Sequence, residues 1–449
     1  MTNYLRSIKS IVLAVFAGLS VIYFAQSHAS AQKTNIADQL HLGARLFSDD
    51  RFTSPNGDLP SSCSHCHMFK QDPQGTRAYT DFLARSWVPS RLTDQRREGI
   101  RNAPTIFDAD EMPRLHYDGE FGSLEELVKG TLSGRTLGWM PGERDQAFKQ
   151  VYNVLLKDNA EDEKIEMSYR DEFKKVYRVD LSALSTNQTI DLIAAAVSTY
   201  VRSLKTKRDT PYDKFIQANG LDPQPDKGES AEDFAARFAA KLAALESKHQ
   251  LKLSQNFNVN ALKGLKIFYR TTGERSVGNC ISCHVPPLFT DHSFHNIGIS
   301  QSEFDKVHGE GSFAAKSIPG AAAERPVMEL REIPSMKKPN CVDLGYWNFV
   351  KLNDTELRRA GENDDKFLER MIATFKTPTL RNLAFTQPYM HNGAYTTLES
   401  VLDELSHLSS MARAGQVRSA DDGLARIKIS ESDFAALIAF LNTLNDDLN

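Results

Sequence analysis

Two short stretches hold four of the five cysteines. "SSCSHCHMFK" places Cys63 and Cys66 three apart with His67 directly after, and "GNCISCHVPPLF" repeats the arrangement with Cys280, Cys283 and His284. Two thiols one helical turn apart can add to the two vinyl groups of one porphyrin, and the imidazole that follows can reach the iron as proximal ligand. C-x-x-C-H is the attachment signature of c-type haem. The rival uses of paired cysteines fit less well. Disulfides are the default in an oxidising compartment, but here each would close a tiny strained loop and leave its histidine without a role. Zinc-ribbon halves lie within about 15 to 20 residues of each other, whereas Cys66 and Cys280 are far apart. A thioredoxin-like dithiol needs no histidine. The two motifs therefore predict two covalently attached haem c groups, with His67 and His284 as iron ligands. Cys341 is left over, most simply as a buried thiol.

The elements that must position these motifs recur in matched order. "HLGARLF" (41–47) precedes the first motif and "LKGLKIF" (262–268) the second; "APTIF" and "YDGEFGSLEEL" follow the first, "TPTLR" and "HNGAYTTLESV" the second. Gly119 lies 15 residues beyond Pro104, and Gly393 lies 15 beyond Pro378. This order predicts an internal duplication. Helical spacing dominates elsewhere, as in Ile190, Ile193, Ala194, Val197, Val201 and Leu204. A capped helix is expected from Ser230, with Phe234, Phe238, Leu242 and Leu245 as its stripe. "NGLDPQPDKG" reads as a linker. With no long alternating pattern, the expected fold is mainly α: two cytochrome c-like haem domains, at 32–215 and 256–449, joined by a linker or helical insertion at 216–255.

Arg6 and Lys9 precede an apolar run from Ile11 to Phe24, and small residues follow at Ala29–Ala31. That is the layout of a secretory signal peptide over residues 1–31; the run is shorter than the roughly 20 residues of a membrane span. Export to the periplasm is the expectation. Losing the leader takes the net charge from −4 to −6, so nucleic acid is not an expected partner. The composition, 41% hydrophobic and 25% charged, is that of a globular protein large enough for two domains.

The chain resembles the bacterial dihaem cytochrome c peroxidase and MauG family. The segments that carry the resemblance are "HLGARLFSDDRF", "CSHCH", "RNAPTIF", "YDGEFGSLEEL", "PYDKFI", "NCISCHVPPLFTDHSFHNIGI" and "FKTPTLRNLAFTQPYMHNGAYTTLESV". The resemblance implies that Cys63, Cys66 and His67 hold a peroxidatic haem, and Cys280, Cys283 and His284 an electron-transfer haem. It also implies a calcium ion bound in part by the main-chain carbonyls of Thr386 and Pro388, and a homodimer is a further expectation. The family's acid-base glutamate falls on Glu125. A carboxylate there could take a proton from hydrogen peroxide and return it to the leaving oxygen; the alternative is a helix-start role beside Ser123 and Glu126.

Two positions depart from the family pattern. Its distal glutamine corresponds to Leu115, and the neighbouring His116 could substitute, ligate iron or lie on the surface. The position supplying a ligand to the second haem corresponds to Leu405, with His407 and then Met411 the nearest replacements. Trp87, Trp139 and Trp347 are candidate hopping sites but read more simply as core, and His391 packs or hydrogen-bonds near haem. The expected function is reduction of hydrogen peroxide with electrons from a small cytochrome c or cupredoxin-type donor. The alternatives are a MauG-like enzyme oxidising side chains of a partner protein and a dihaem electron carrier with both irons closed.

Overall fold

Helices form where the apolar spacing places them. The computed structural model describes residues 36–72, 75–80, 83–159, 167–355 and 357–446; the expected leader at 1–31 lies outside the described residues. In chain order these form α1 (Ile36–Phe47), α2 (Cys63–Cys66), β1 (His67–Asp72), β2 (Gly75–Thr80), α3 (Leu124–Leu132), α4 (Arg144–Lys157), α5 (Tyr169–Tyr177), α6 (Thr186–Arg202), α7 (Pro211–Asn219), α8 (Ala231–Ser247) and α9 (Val259–Tyr269). Then come β3 (Phe294–His295), α10 (Ile299–His308), α11 (Ser312–Ala315), α12 (Asp364–Arg370), β4 (Phe375–Lys376), α13 (Leu398–Arg413) and α14 (Glu431–Asn442). The fold is mostly helical. Its strands form two antiparallel pairs among the described residues, β1 with β2 and β3 with β4. The first pair was not apparent in the sequence because it is short; its register closes with Asp72 opposite Gly75.

The helix ends follow from local chemistry. Ser185 and Gln188 form a capping box at the start of α6, whose Ile190, Ile193, Ala194, Val197 and Val201 are buried. Thr210 caps α7 with Pro211 at its first position. Ser230 accepts the Asp233 N–H at the start of α8.

The matched glycines explain the repeated "Gly-x-x-aliphatic-Phe" pattern. A Cβ on Gly43 would lie 2.2 Å from the Ala196 carbonyl oxygen, and one on Gly264 would lie 1.9 Å from that of Ala436. Only glycine lets α1 approach α6, and α9 approach α14, this closely. Each crossing leads Leu46 and Phe47, or Ile267 and Phe268, into a buried core.

One core gathers Leu42, Phe47, Val128, Val151, Phe173, Ile193 and Val197. A second begins at Tyr212 and takes in Phe215, Phe234, Phe238, Leu242, Leu265, Phe440 and Leu444. Packing therefore joins α7 and α8, from the segments at 32–215 and 216–255, to the core of the last helices. A third core holds Phe313, Leu344, Trp347 and Phe367. Trp139 and Trp347 are core residues, and Cys341 is a buried free thiol.

Candidate functional site

The first cysteine pair flanks the single turn of α2, capped by Ser62, whose backbone N–H donates to His65 Nδ1 at 3.1 Å. The second pair brackets a 3₁₀ turn, Cys280–Ser282, with Cys283 closing it. None of the four is in a disulfide among the described residues. Burial pushes Cys63 and Cys280 up to about 12, so both stay protonated at neutral pH.

The histidines that follow are set up alike. Burial lowers the His67 pKa to about 4; the charge of His116 acts in the same direction, and the Pro104 carbonyl, as hydrogen-bond acceptor, opposes both. Burial also lowers His284, against the opposing hydrogen bonds of the Phe289 and Pro378 carbonyls. His284 Nδ1 lies 2.9 Å from the Phe289 oxygen. Pro104 and Pro378 are thus equivalent in sequence and in what their carbonyls touch. With Nδ1 engaged, a neutral His284 offers Nε2 to a metal. Two nearby cysteines followed by a buried, neutral imidazole fit a covalently bound haem at each motif.

Beyond each motif runs a strap of matched construction. Leu115 pairs with Phe121, and Tyr389 with Tyr395. At the next position His116 (φ 63°) and Met390 (φ 69°) are left-handed, as are Gly119 (φ 64°) and Gly393 (φ 60°) further on. Each strap reaches the other half of the chain. Gly119 packs so closely on Phe294 and Tyr346 that a Cβ would lie 2.5 Å from the Phe294 ring, and Gly393 lies against the Ala84 backbone. Phe294 and Tyr346 stack with centroids 3.9 Å apart, and His391 stacks on Phe375 at 3.6 Å.

Charges lock the first strap. Arg101 donates to Asp118 at 2.6 Å and to both carboxylate oxygens of Asp343 at 2.6 and 2.8 Å. Arg331 reaches Asp118 at 3.2 Å and Glu120 at 2.9 Å. His116 Nδ1 lies 3.5 Å from Glu120, and its ring meets Phe121 edge-on. Burial would raise the Glu120 pKa, but His116 and Arg331 outweigh it and bring it to about 2. His116 is therefore part of the strap, close enough to His67 for its charge to be felt there; Leu115 is buried in the core.

The other sequence candidates have separate surroundings. Glu125, near the start of α3, is clasped by Arg202 of α6 at 2.7 and 3.0 Å, and that bond chiefly lowers its pKa. Ser123 does cap α3, taking the Glu126 N–H, while Glu126 reaches back to Gly122 rather than completing the expected box. His407 is exposed on α13, beside rather than on the face that buries Leu402 and Leu408. Met411 is partly buried, packed near Ile299, Leu408 and Leu424 together with Met390. Thr386 and Pro388 flank a cis Gln387–Pro388 peptide. Among the described residues, the His, Cys and carboxylate groupings with ligand atoms within 4.8 Å are Cys283–Asp291–His295 and His116–Asp118–Glu120. The Thr386 and Pro388 carbonyls alone fall short of the six to eight oxygens calcium takes.

Sequence reasoning missed Arg101, Asp343, Arg381 and His295. The last is held between Asp291 and Asp421, each at 2.7 Å. Only the "RNAPTIF" and "TPTLRN" segments hinted at the arginines.

A mostly helical chain with two thiol-thiol-imidazole sets belongs in the class of haem oxidoreductases. The di-haem cytochrome c peroxidase family profile matches residues 37–220. Cytochrome-c peroxidase IdrP2 of Denitromonas iodatirespirans is 25% identical over 422 residues, 92% of this chain and 83% of that protein. The methylamine utilization protein MauG of Paracoccus denitrificans is 23% identical, over 97% of this chain and 95% of its own. Among solved structures, the diheme peroxidase BthA of Burkholderia thailandensis superimposes with a TM-score of 0.54 at 17% identity, covering 91% of this chain and 86% of that one, a likeness of fold. The chain is thus similar to the dihaem cytochrome c peroxidases and MauG proteins, and is an oxidoreductase.

Proposed function

We propose that the protein is an exported c-type dihaem peroxidase, built from two duplicated haem domains, that reduces hydrogen peroxide to water with two electrons from a small cytochrome c or cupredoxin-type donor. The matched surroundings of His67 and His284 carry this reading: carbonyls at equivalent positions, equivalent straps and equivalent glycine crossings support duplication with one haem c per half. The bound groups would supply iron for peroxide at one motif and electron relay at the other.

This chain's residues divide the remaining work. Cys63, Cys66 and His67 hold the peroxidatic group; Cys280, Cys283 and His284 hold its partner. Glu125, kept ionised by Arg202, is the proton acceptor for peroxide, and His116 is the distal side chain that orients it. The Arg101–Asp118–Asp343 cluster keeps the first strap against the second half. The leader at 1–31 would direct the chain to the periplasm.

Mixing the haem-loaded protein with hydrogen peroxide and reduced small cytochrome c tests the proposal: two cytochromes oxidised per peroxide support it, and a fully loaded protein that leaves the cytochrome reduced contradicts it. Buried Leu115, where the family has a glutamine, favours a second reading, MauG-like oxidation of a protein partner. That reading predicts reaction with peroxide but no cytochrome turnover.

A further inference from the structure

The Phe289 backbone is left-handed, at φ 58°, although its side chain is fully buried. A bulky residue holds such a conformation only when its surroundings over-determine it. Phe289 is also the residue whose carbonyl receives His284 Nδ1 at 2.9 Å. What holds the turn is a buried arginine from far along the chain. Arg381 donates to the Pro287 carbonyl through both Nε and Nη2, at 2.9 and 2.7 Å. Its guanidinium lies 5.4 Å from the Phe289 ring centroid. The other edge of the fork is gripped by Asp213 of α7, at 2.6 and 2.8 Å, with Thr210 at 3.3 Å. Thr379, two residues before Arg381, donates to the Leu288 carbonyl at 2.6 Å. Consecutive carbonyls at 287 and 288 are thus pinned from one segment, immediately before the carbonyl that orients the imidazole.

We propose that Arg381, locked by Asp213, is a positioning residue for His284: it holds the 287–289 turn so that the Phe289 carbonyl fixes the ring and sets how strongly that imidazole donates to iron. The inference rests on the dihaem reading. A firm Nδ1–H bond makes the ligand more basic, which favours ferric iron and lowers the reduction potential of the C-terminal haem. Arg381→Lys keeps the charge but replaces a planar fork with a point donor that cannot grip Pro287 and Asp213 together.

The test is a spectroelectrochemical titration of the loaded protein and of Arg381→Lys, with the C-terminal wave assigned from a Cys63→Ala/Cys66→Ala background. The expected result is a higher potential for the C-terminal haem and an unchanged one for the N-terminal haem. Thr379→Val, which removes one carbonyl pin and leaves the ion pair, should shift the same wave in the same direction by less, and it carries the test where Arg381→Lys does not fold. An unmoved C-terminal wave, or equal movement of both, in protein with two haems per chain overturns the positioning role alone. Fewer than two haems per wild-type chain overturns the dihaem reading beneath it.

Discussion

Tyr117 and Lys376 are joined backbone to backbone across the two halves of the chain, the Tyr117 carbonyl accepting the Lys376 N–H at 2.8 Å. The reverse bond is also made: the His391 carbonyl accepts the Asn102 N–H at 2.8 Å. Tyr117 and His391 each lie two residues into their strap, and Asn102 and Lys376 each lie two residues before the matched prolines. The halves therefore hold each other by one exchanged contact used twice. Gly393 makes the second exchange feasible, since a Cβ there would sit 2.1 Å from the Ala84 oxygen at a left-handed φ. Gly393→Ala should cost about 2 kcal/mol or more, read as a lower urea midpoint.

The helix crossings give a prediction that runs against helix propensity. In an unobstructed helix, glycine to alanine gains about 1 kcal/mol. Gly43→Ala and Gly264→Ala should instead destabilise, because each new Cβ meets a carbonyl oxygen of the facing helix. Denaturation curves showing either variant more stable than wild type would refute the crossing geometry.

Acid should loosen the join between the halves. Burial would raise the Asp343 pKa, but Arg101 outweighs it and brings the pKa to about 2, against 3.8 unperturbed. The folded value is depressed, so this stabilisation is complete above about pH 4 and is lost as pH falls towards 2. It amounts to about 2 kcal/mol. Melting temperature should fall through that window, and less so in Asp343→Asn. Arg101→Met, which strands Asp343 and leaves Asp118 with Arg331 alone, should cost roughly 3–5 kcal/mol at neutral pH.

Glu125→Gln should slow peroxide-dependent cytochrome oxidation about 100-fold or more while haem content stays the same. If the glutamate only steadies the start of α3, steady-state rates will barely move and the loss will appear in stability instead.

Both motifs and the matched order of the segments around them were legible because they are written in residue types: cysteine and histidine at fixed spacing, glycine where helices cross. The straps were half legible. Gly119 and Gly393 announced themselves, but His116 and Met390 are equally left-handed and carry no such signature. The exchanged bonds use backbone atoms, which any sequence supplies. Arg381 and Asp213 are 168 residues apart, and nothing local to either marks the partner. Glu125 shows the same limit: its position suggested a cap or a catalyst, whereas its tie to Arg202, 77 residues away, comes from the packing of α3 on α6. His407 was chosen for side-chain chemistry alone, and where α13 carries it is a property of the fold.

On the proposed reading, the N-terminal motif holds the haem that meets peroxide. Two variants isolate the haems, Cys280→Ala/Cys283→Ala keeping the N-terminal group and Cys63→Ala/Cys66→Ala the C-terminal one, each verified by an intact mass with one haem. Stopped-flow absorption after mixing each with hydrogen peroxide is the deciding measurement. A fast, saturable spectral change is expected in the protein that keeps Cys63, Cys66 and His67, and none on that timescale in the other; a fast change confined to the protein that keeps Cys280, Cys283 and His284 would overturn the assignment.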